Sequence, residues 1–60
     1  MYAILIIGTK IGFYIADDEE QTTDLTKSAT YESYDEACYD AKHIMDTWWQ
    51  VSRVQVVKVA

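Results

Sequence analysis

The sequence predicts a small α+β domain, in which a mostly antiparallel sheet of three to four strands has one helix packed on one face. Three observations predict this β-β-(β)-α-β order. Two β-rich runs flank a short glycine turn at the start of the chain. An amphipathic stretch begins with a helix-capping sequence near residue 33, and a valine-rich segment follows it. Because 60 residues suffice for one small core, we expect a single domain over residues 1–60.

The first sixteen residues are typical of a β-hairpin. Residues 2–7 form an unbroken apolar run, long enough for a strand and short for a helix. Since apolar side chains would lie on both faces of this strand, we expect it in the interior of the sheet. Gly8, Thr9 and Lys10 supply a short turn, after which residues 11–16 resume the strand pattern.

The next segment is acidic and rich in threonine, with Leu25 as its one large apolar residue. Residues 17–28 therefore cannot bury enough apolar surface for a core of their own, and they predict a surface loop attached to the domain by Leu25. Thr30 and Tyr31 favour a strand, so residues 29–32 predict a short edge strand that leads into the helix.

The helix begins with a capping box, Ser33-Tyr34-Asp35-Glu36. We expect the Ser33 hydroxyl to accept a hydrogen bond from the Glu36 N–H, and the Glu36 carboxylate to accept one from the Ser33 N–H. Apolar side chains then recur at three- and four-residue spacing and predict the face that packs on the sheet: Tyr34, Ala37, Cys38, Ala41, Ile44, Met45 and Trp48. Residues 51–60 are rich in valine and predict the closing strand.

Charge is distributed unevenly along the chain. The net charge is −5, but residues 17–40 contain nine acidic side chains against Lys27 alone, a net of −8, so the rest of the chain is +3. Such a field repels the phosphates of nucleic acids and membranes and attracts basic protein surfaces. The apolar run at residues 2–7 is also far shorter than the ~20 residues of a membrane span. We therefore expect no direct binding to nucleic acid and no membrane segment.

Nothing in the sequence predicts an enzyme. With two glycines the chain cannot build a phosphate-binding loop, and no nucleophile or zinc motif is present. Cys38 lies on the apolar stripe, and His43 lies about 140° around the helix from it, so the thiol is expected to be structural. We predict no catalytic residue and no cofactor. A single cysteine permits no intrachain disulfide, which favours the reducing cytoplasm.

Metal binding is also not expected. His43 with Asp40 and Asp46 would make only a weak, solvent-open site, and a solvated histidine is the simpler interpretation. The acidic run at residues 17–20 lacks the alternating ligands and central glycine of a calcium-binding loop. We therefore predict no metal site.

One group of residues is a candidate surface for binding another protein. Tyr39 is the aromatic residue on the polar helix face, and Trp49 lies at the edge of the apolar stripe beside Trp48. Aromatic side chains among carboxylates are typical of a surface that docks a basic partner. The predicted protein-binding residues are Tyr39, Trp49, Asp35, Glu36, Asp40 and His43. The alternative is that both tryptophans complete the core.

Four segments carry a resemblance to known proteins: TDLTKSATYESYDEA at residues 23–37, YAILI at 2–6, GFY at 12–14 and VQVV at 54–57. In these segments the chain resembles a group of short proteins encoded by bacteriophages and prophages. The resemblance implies an accessory protein, and some short acidic phage proteins block host defence nucleases by occupying their nucleic-acid sites. It assigns no functional residue.

Three hypotheses for function follow. The first is a small non-enzymatic interaction domain, such as a phage accessory or anti-defence protein, whose acidic face binds a basic surface of a host protein. The second is a structural or regulatory homodimer that pairs through an apolar sheet face. The third is an oligomer that stacks a nucleotide on Trp49 or Tyr39, which the acidic surroundings oppose. A homodimer is expected because the first and last strands are apolar on both faces, and one helix covers only one of them.

Overall fold

The fold is an α+β domain with one helix and one four-stranded antiparallel sheet, as the sequence predicts. The computed structural model describes residues 1–15, 20–48 and 51–59. Its elements are β1 (Tyr2–Gly8), β2 (Ile11–Ile15), β3 (Glu20–Thr22), a 3-10 turn (Leu25–Lys27), α1 (Tyr34–Thr47) and β4 (Val51–Lys58). The strand order is β3-β2-β1-β4. No helix in the described ranges is long and apolar enough to cross a membrane.

The central strand is β1, which confirms the expected interior position of the first apolar run. It pairs antiparallel with β2 on one side and β4 on the other, so the predicted hairpin and closing strand are both present. Leu5 lies opposite Phe13 on β2 and Gln55 on β4. Since cross-strand partners share a sheet face, this register decides which side chains lie under the helix.

The helix covers one face of the sheet and forms the core there. Ala37, Ala41 and Ile44 are buried against Ile4 and Ile6 of β1. Each of these five side chains is at most 5% exposed, so they form the driest part of the domain. Trp48, at the helix end, packs partly buried against this core, as the sequence predicts.

Two other members of the predicted apolar stripe lie outside the core. Tyr34 and Met45 are exposed large side chains. They lie on the same edge of the stripe, about 20° apart around the helix at 100° per residue, and the helix buries only the strip of Ala37, Ala41 and Ile44 to one side of them. The predicted burial of both side chains is therefore wrong.

Ser33 is the N-cap of α1, as predicted, but its partner differs. The Ser33 hydroxyl accepts from the Asp35 N–H at 3.2 Å rather than from the Glu36 N–H. Within the described part of the chain, no hydrogen bond joins the Glu36 carboxylate to the Ser33 N–H. A hydroxyl cap can serve the second or third N–H of the first turn, and here it serves the second.

The predicted loop at residues 17–28 contains the third strand, which is a correction. Glu20, Gln21 and Thr22 pair with Ile15, Tyr14 and Phe13 of β2. These three polar residues show no alternation of apolar and polar side chains, so the sequence pattern does not predict a strand here. Pairing with β2 orders them instead. Leu25, in the 3-10 turn, is 38% exposed and is not part of the core cluster. Residues 17–19 lie outside the described ranges.

The segment before the helix is not an edge strand, which is a second correction. Tyr31 makes an isolated antiparallel bridge to Tyr2 of β1. The Ala29 N–H donates to the Tyr14 carbonyl of β2 at 2.8 Å. Because Tyr2 pairs with Lys58 of β4 on its other side, residues 29–31 occupy the space between β1 and β2. The backbone there is paired on both sides, so no edge is exposed.

Gly12 allows β3 to approach β2 closely on the helix side. A Cβ atom at Gly12 would lie 3.0 Å from the Gln21 Cβ and 3.1 Å from the Thr22 carbonyl oxygen. The Gln21 side chain crosses this position, and its amide donates to the Ile6 carbonyl at 3.1 Å. Glycine therefore serves here for close backbone approach rather than for a turn.

Candidate functional site

A shallow depression at the start of α1 brings together four of the predicted binding residues. We call it the acidic groove, and it has a volume of about 390 Å³. Its lining residues are Tyr31, Asp35, Glu36, Tyr39 and Asp40. Three carboxylates and two phenol rings thus meet in one exposed cleft.

Helical spacing positions most of the groove. Asp35 and Tyr39 are four residues apart on α1, as are Glu36 and Asp40, so each pair lies on neighbouring turns of the same helix face. The N-cap at Ser33 sets where these turns begin. Asp35 and Glu36 are also in the first turn, where the helix dipole stabilises negative charge.

Tyr31 forms one wall of the groove, and it was not among the binding residues predicted from the sequence. Its hydroxyl donates to Asp40 Oδ2 at 2.7 Å. Burial raises the pKa of Tyr31 well above its usual value, and the hydrogen bond to Asp40 raises it further. Tyr31 is therefore protonated at neutral pH, and it acts as a fixed donor that orients one carboxylate of the groove.

Tyr39 is the most exposed of the large hydrophobic side chains among the described residues, at 78%. It lines the acidic groove on one side and a second depression of about 210 Å³ on the other, which it shares with Lys42, His43 and Asp46. His43 therefore lies beside Tyr39 but outside the groove itself. An exposed ring between two depressions can contact a ligand on both of its faces.

Of the six predicted residues, Asp35, Glu36, Tyr39 and Asp40 share the groove, and His43 lines the neighbouring depression. Trp49 lies outside the described residues. The position of Tyr31 just before the helix cap is the sequence feature that could have suggested a place in the groove. However, its direction depends on the bridge to Tyr2, which is a long-range contact.

Cys38 contacts the Tyr34 side chain rather than a base. A hydrogen bond with Cys38 raises the pKa of Tyr34. The Tyr34 ring meets Tyr2 edge-to-face, with centroids 5.6 Å apart. The thiol is half-buried and free. These contacts place Cys38 in a packing cluster on the side of the helix away from His43.

Trp48 forms part of a third depression, at the other end of the helix. The cleft is about 130 Å³ in volume and is lined in part by Ile6, Lys10 and Val51. The Trp48 ring packs edge-to-face on Tyr14, with centroids 5.9 Å apart. The Trp48 indole therefore packs at the edge of the core, and it is less available for stacking with a ligand than the exposed Tyr39 ring.

Metal ligands do not cluster in the part of the chain that the structure describes: no group of three or more His, Cys, Asp or Glu side chains could hold an ion there. The site is thus one of carboxylates and phenols, which can attract cations and accept hydrogen bonds. Comparison with protein-family models, with curated proteins and with solved structures finds no match to this chain.

Proposed function

We propose that this protein is a non-enzymatic interaction domain whose acidic groove and Tyr39 bind a basic segment of another protein. The observation that supports the proposal is a single side chain: Tyr39 stands 78% exposed between two depressions, with Asp35, Glu36 and Asp40 around it. Keeping an aromatic ring in water has no benefit for the fold, whereas an aromatic anchor is typical of binding surfaces.

The chemistry of the groove favours arginine over lysine in the partner. A guanidinium group can stack on the face of the Tyr39 ring while its N–H groups bond to a carboxylate. Asp35 and Glu36 are exposed and free to rotate toward such a ligand, whereas Asp40 is already bonded to Tyr31. The two exposed carboxylates would therefore attract the partner, and Tyr39 would hold it.

The resemblance to phage-encoded proteins favours a host protein as the partner, with the acidic surface acting in place of a nucleic-acid backbone. A cytoplasmic setting accords with this proposal. In such a complex, long-range attraction between unlike charges raises the association rate, and contact area at the aromatic anchor lowers the dissociation rate.

A titration with a fluorescently labelled arginine-rich peptide tests the proposal. We expect saturable binding that weakens as salt rises, and a loss of binding in the Tyr39→Ala and Asp35→Asn/Glu36→Gln variants. The matched control is Asp24→Asn, which removes one charge from the 3-10 turn and keeps a good capping residue. Equal binding by the control and the groove variants would contradict the proposal, because any acidic side chain would then serve.

A second candidate is the homodimer, which can coexist with the first. It is favoured by a specific observation: Ile4 and Ile6 of β1 pack under α1, whereas Ile11 of β2, which lies on the opposite face of the sheet, is 64% exposed. The role of such a dimer would be structural or regulatory.

A further inference from the structure

We infer that two copies of this chain pair through the outer edge of β4, so that their sheets join into one and their helices lie side by side. The inference rests on the homodimer considered above and assigns its surface. It follows from the direction of the backbone groups of β4, from the apolar helix edge beside that strand, and from the spacing of the elements.

The two edges of the sheet differ. In the order β3-β2-β1-β4, the terminal strands are β3 and β4, and no described residue pairs with the outer side of β4. Proteins protect sheet edges by keeping edge strands short or by placing proline in them. β3 is three residues long, whereas β4 is eight residues long and contains no proline. β4 is therefore the edge that is open to another strand.

Alternate residues of β4 direct their backbone groups to this open edge. Tyr2 of β1 makes both of its backbone hydrogen bonds to Tyr31, and Lys58 of β4 lies opposite Tyr2. Lys58 is therefore not bonded to Tyr2, and its N–H and carbonyl point away from β1. The same alternation applies to Val56 and Val54, which lie opposite the next alternate residues of β1. These three residues offer the hydrogen-bonding groups that a further strand requires.

The edge of the helix above this strand is apolar. α1 lies over β1 and β4. Asp40 bonds to Tyr31, which bridges β1 on the side of β2, so this side of the helix points toward β2. Tyr34, Cys38 and Met45 lie roughly 120–160° around the helix from Asp40, so they point toward the open edge of β4. Tyr34 is 54% exposed and Met45 is 41% exposed.

The core is also incomplete along this edge. Ile4 and Ile6 of β1 are at most 1% exposed, whereas Val54 and Val56 beside them on β4 are only partly buried. Partly buried valines thus lie next to exposed helix side chains and unpaired backbone groups. We call this surface the open seam, and its apolar members are Val54, Val56, Tyr34, Cys38 and Met45.

A second copy of the chain fits the open seam. A two-fold axis at Gln55 pairs Val54 of each copy with Val56 of the other, so that residues with outward backbone groups face each other. The valine side chains then meet on the helix side, and the two Gln55 side chains meet on the other face. Arg53 and Lys58 lie opposite uncharged residues, so no like charges are opposed.

The spacing of the elements also brings the helices into contact. Neighbouring strands are about 4.8 Å apart, and α1 lies over β1 and β4, so its axis is about half that spacing inside β4. The two helix axes are then about 9.6 Å apart, within the range of about 8–10 Å at which helices pack. They run antiparallel, with Tyr34 of each toward Met45 of the other, a favourable sulfur–aromatic contact.

The size of the contact sets the expected strength. A strand of eight residues is roughly 25 Å long, and a sheet layer and a helix layer are together about 20 Å high. Each copy thus contributes roughly 500 Å², and the two copies bury about 1,000 Å², the lower limit of a biological interface. We therefore expect a dimer that dissociates in the micromolar range.

Sedimentation equilibrium from low micromolar to near-millimolar concentration tests the inference. We expect a shift from the 6.9 kDa chain to twice that mass. Met45→Lys places a charge in the seam at an exposed position, so the fold should survive, and dimerisation should weaken by about tenfold or more. Thr47→Lys is the matched control, because it adds the same charge at an exposed position on the opposite side of the helix. It should dimerise like the wild type.

Amide hydrogen exchange measured by NMR tests the strand pairing residue by residue. The Val54 and Val56 N–H groups should exchange rapidly in the monomer and slowly at concentrations where the chain is dimeric. The Gln55 and Val57 N–H groups are directed to β1, so they should exchange slowly at every concentration. This alternation is specific to pairing at the outer edge of β4, since a dimer through a sheet face would not produce it.

The outcomes separate the inference from the other proposals. A dimer in which Val54 and Val56 still exchange rapidly, or one that persists unchanged in Met45→Lys, would overturn the pairing through β4 and leave the homodimer standing. A wild-type monomer at every concentration would overturn both. Peptide binding to the acidic groove is measured separately, and its failure would overturn only the interaction-domain proposal.

Discussion

The Tyr31 hydroxyl lies 2.7 Å from Asp40 Oδ2, and this hydrogen bond joins the segment before the helix to the second turn of α1. Two backbone hydrogen bonds of 2.8 Å also join Tyr31 to Tyr2 of the central strand. One residue therefore connects sheet, connecting segment and helix. It also forms a wall of the acidic groove, so folding and the candidate site share a contact.

Replacing Tyr31 by Phe should destabilise the protein by about 1–2 kcal/mol at neutral pH, because Asp40 loses its donor. The folded-state pKa of Tyr31 lies above the unfolded value, so this stabilisation is complete below about pH 10 and decreases at higher pH. Urea unfolding at neutral pH and near pH 11 should therefore show a smaller difference between wild type and variant in alkali. Tyr39→Phe, at an exposed ring, is the control and should unfold like the wild type at both.

Replacing Ser33 by Ala should lower the free energy of unfolding by roughly 0.5–2 kcal/mol, because the Asp35 N–H loses its acceptor. Urea unfolding followed by circular dichroism measures the change. Ser52→Ala, at an exposed position of β4, is the matched control. If both variants unfold at the same urea concentration, the hydroxyl cap does not stabilise the helix.

Ile44 and Met45 are neighbours in sequence with opposite environments, since Ile44 is 1% exposed and Met45 is 41% exposed. Ile44→Ala should cost about 2–5 kcal/mol and Met45→Ala well under half of that, because only the first leaves a cavity in the core. Thermal unfolding measures the two changes side by side. If Ile44→Ala does not fold, Ile44→Val should still cost about 0.5–1.5 kcal/mol. Equal losses at both positions would mean that the helix is rotated.

The two parts of the acidic groove should affect different rates of partner binding. Removing charge with Asp35→Asn/Glu36→Gln should slow association and reduce its salt dependence, because exposed charges act mainly on the encounter. Tyr39→Ala should instead speed dissociation, at a cost of about 2 kcal/mol if the ring is the anchor. Surface plasmon resonance with an immobilised arginine-rich peptide separates the two rates. Asp40 is left unchanged, because its loss would also release Tyr31. Association that is unaffected at low salt would show that the acidic side chains only maintain solubility.

Local patterns predicted the elements that are stabilised locally. The hairpin of β1 and β2 follows from two apolar runs around a short turn, and α1 follows from Ser33 and the spacing of Ala37, Ala41 and Ile44. The groove was predictable to the extent that it lies on the helix, since Asp35, Glu36, Tyr39 and Asp40 occupy neighbouring turns. Tyr31 was missed because its direction depends on a contact 29 residues away with Tyr2.

By itself, the sequence determined the α+β class, the central position of β1 and the acidic face of the helix, because periodicity and capping act over a few residues. Tertiary structure alone decided that three polar residues form β3 and that residues 29–31 lie between β1 and β2. It also decided that the Gln21 side chain packs so close to Gly12 that a Cβ atom there would lie 3.0 Å from the Gln21 Cβ. These features arise where backbone groups find partners distant in sequence, and hydrogen bonding between strands requires no pattern of apolar side chains. For that reason the polar third strand and the wall of the groove become visible only in the folded chain.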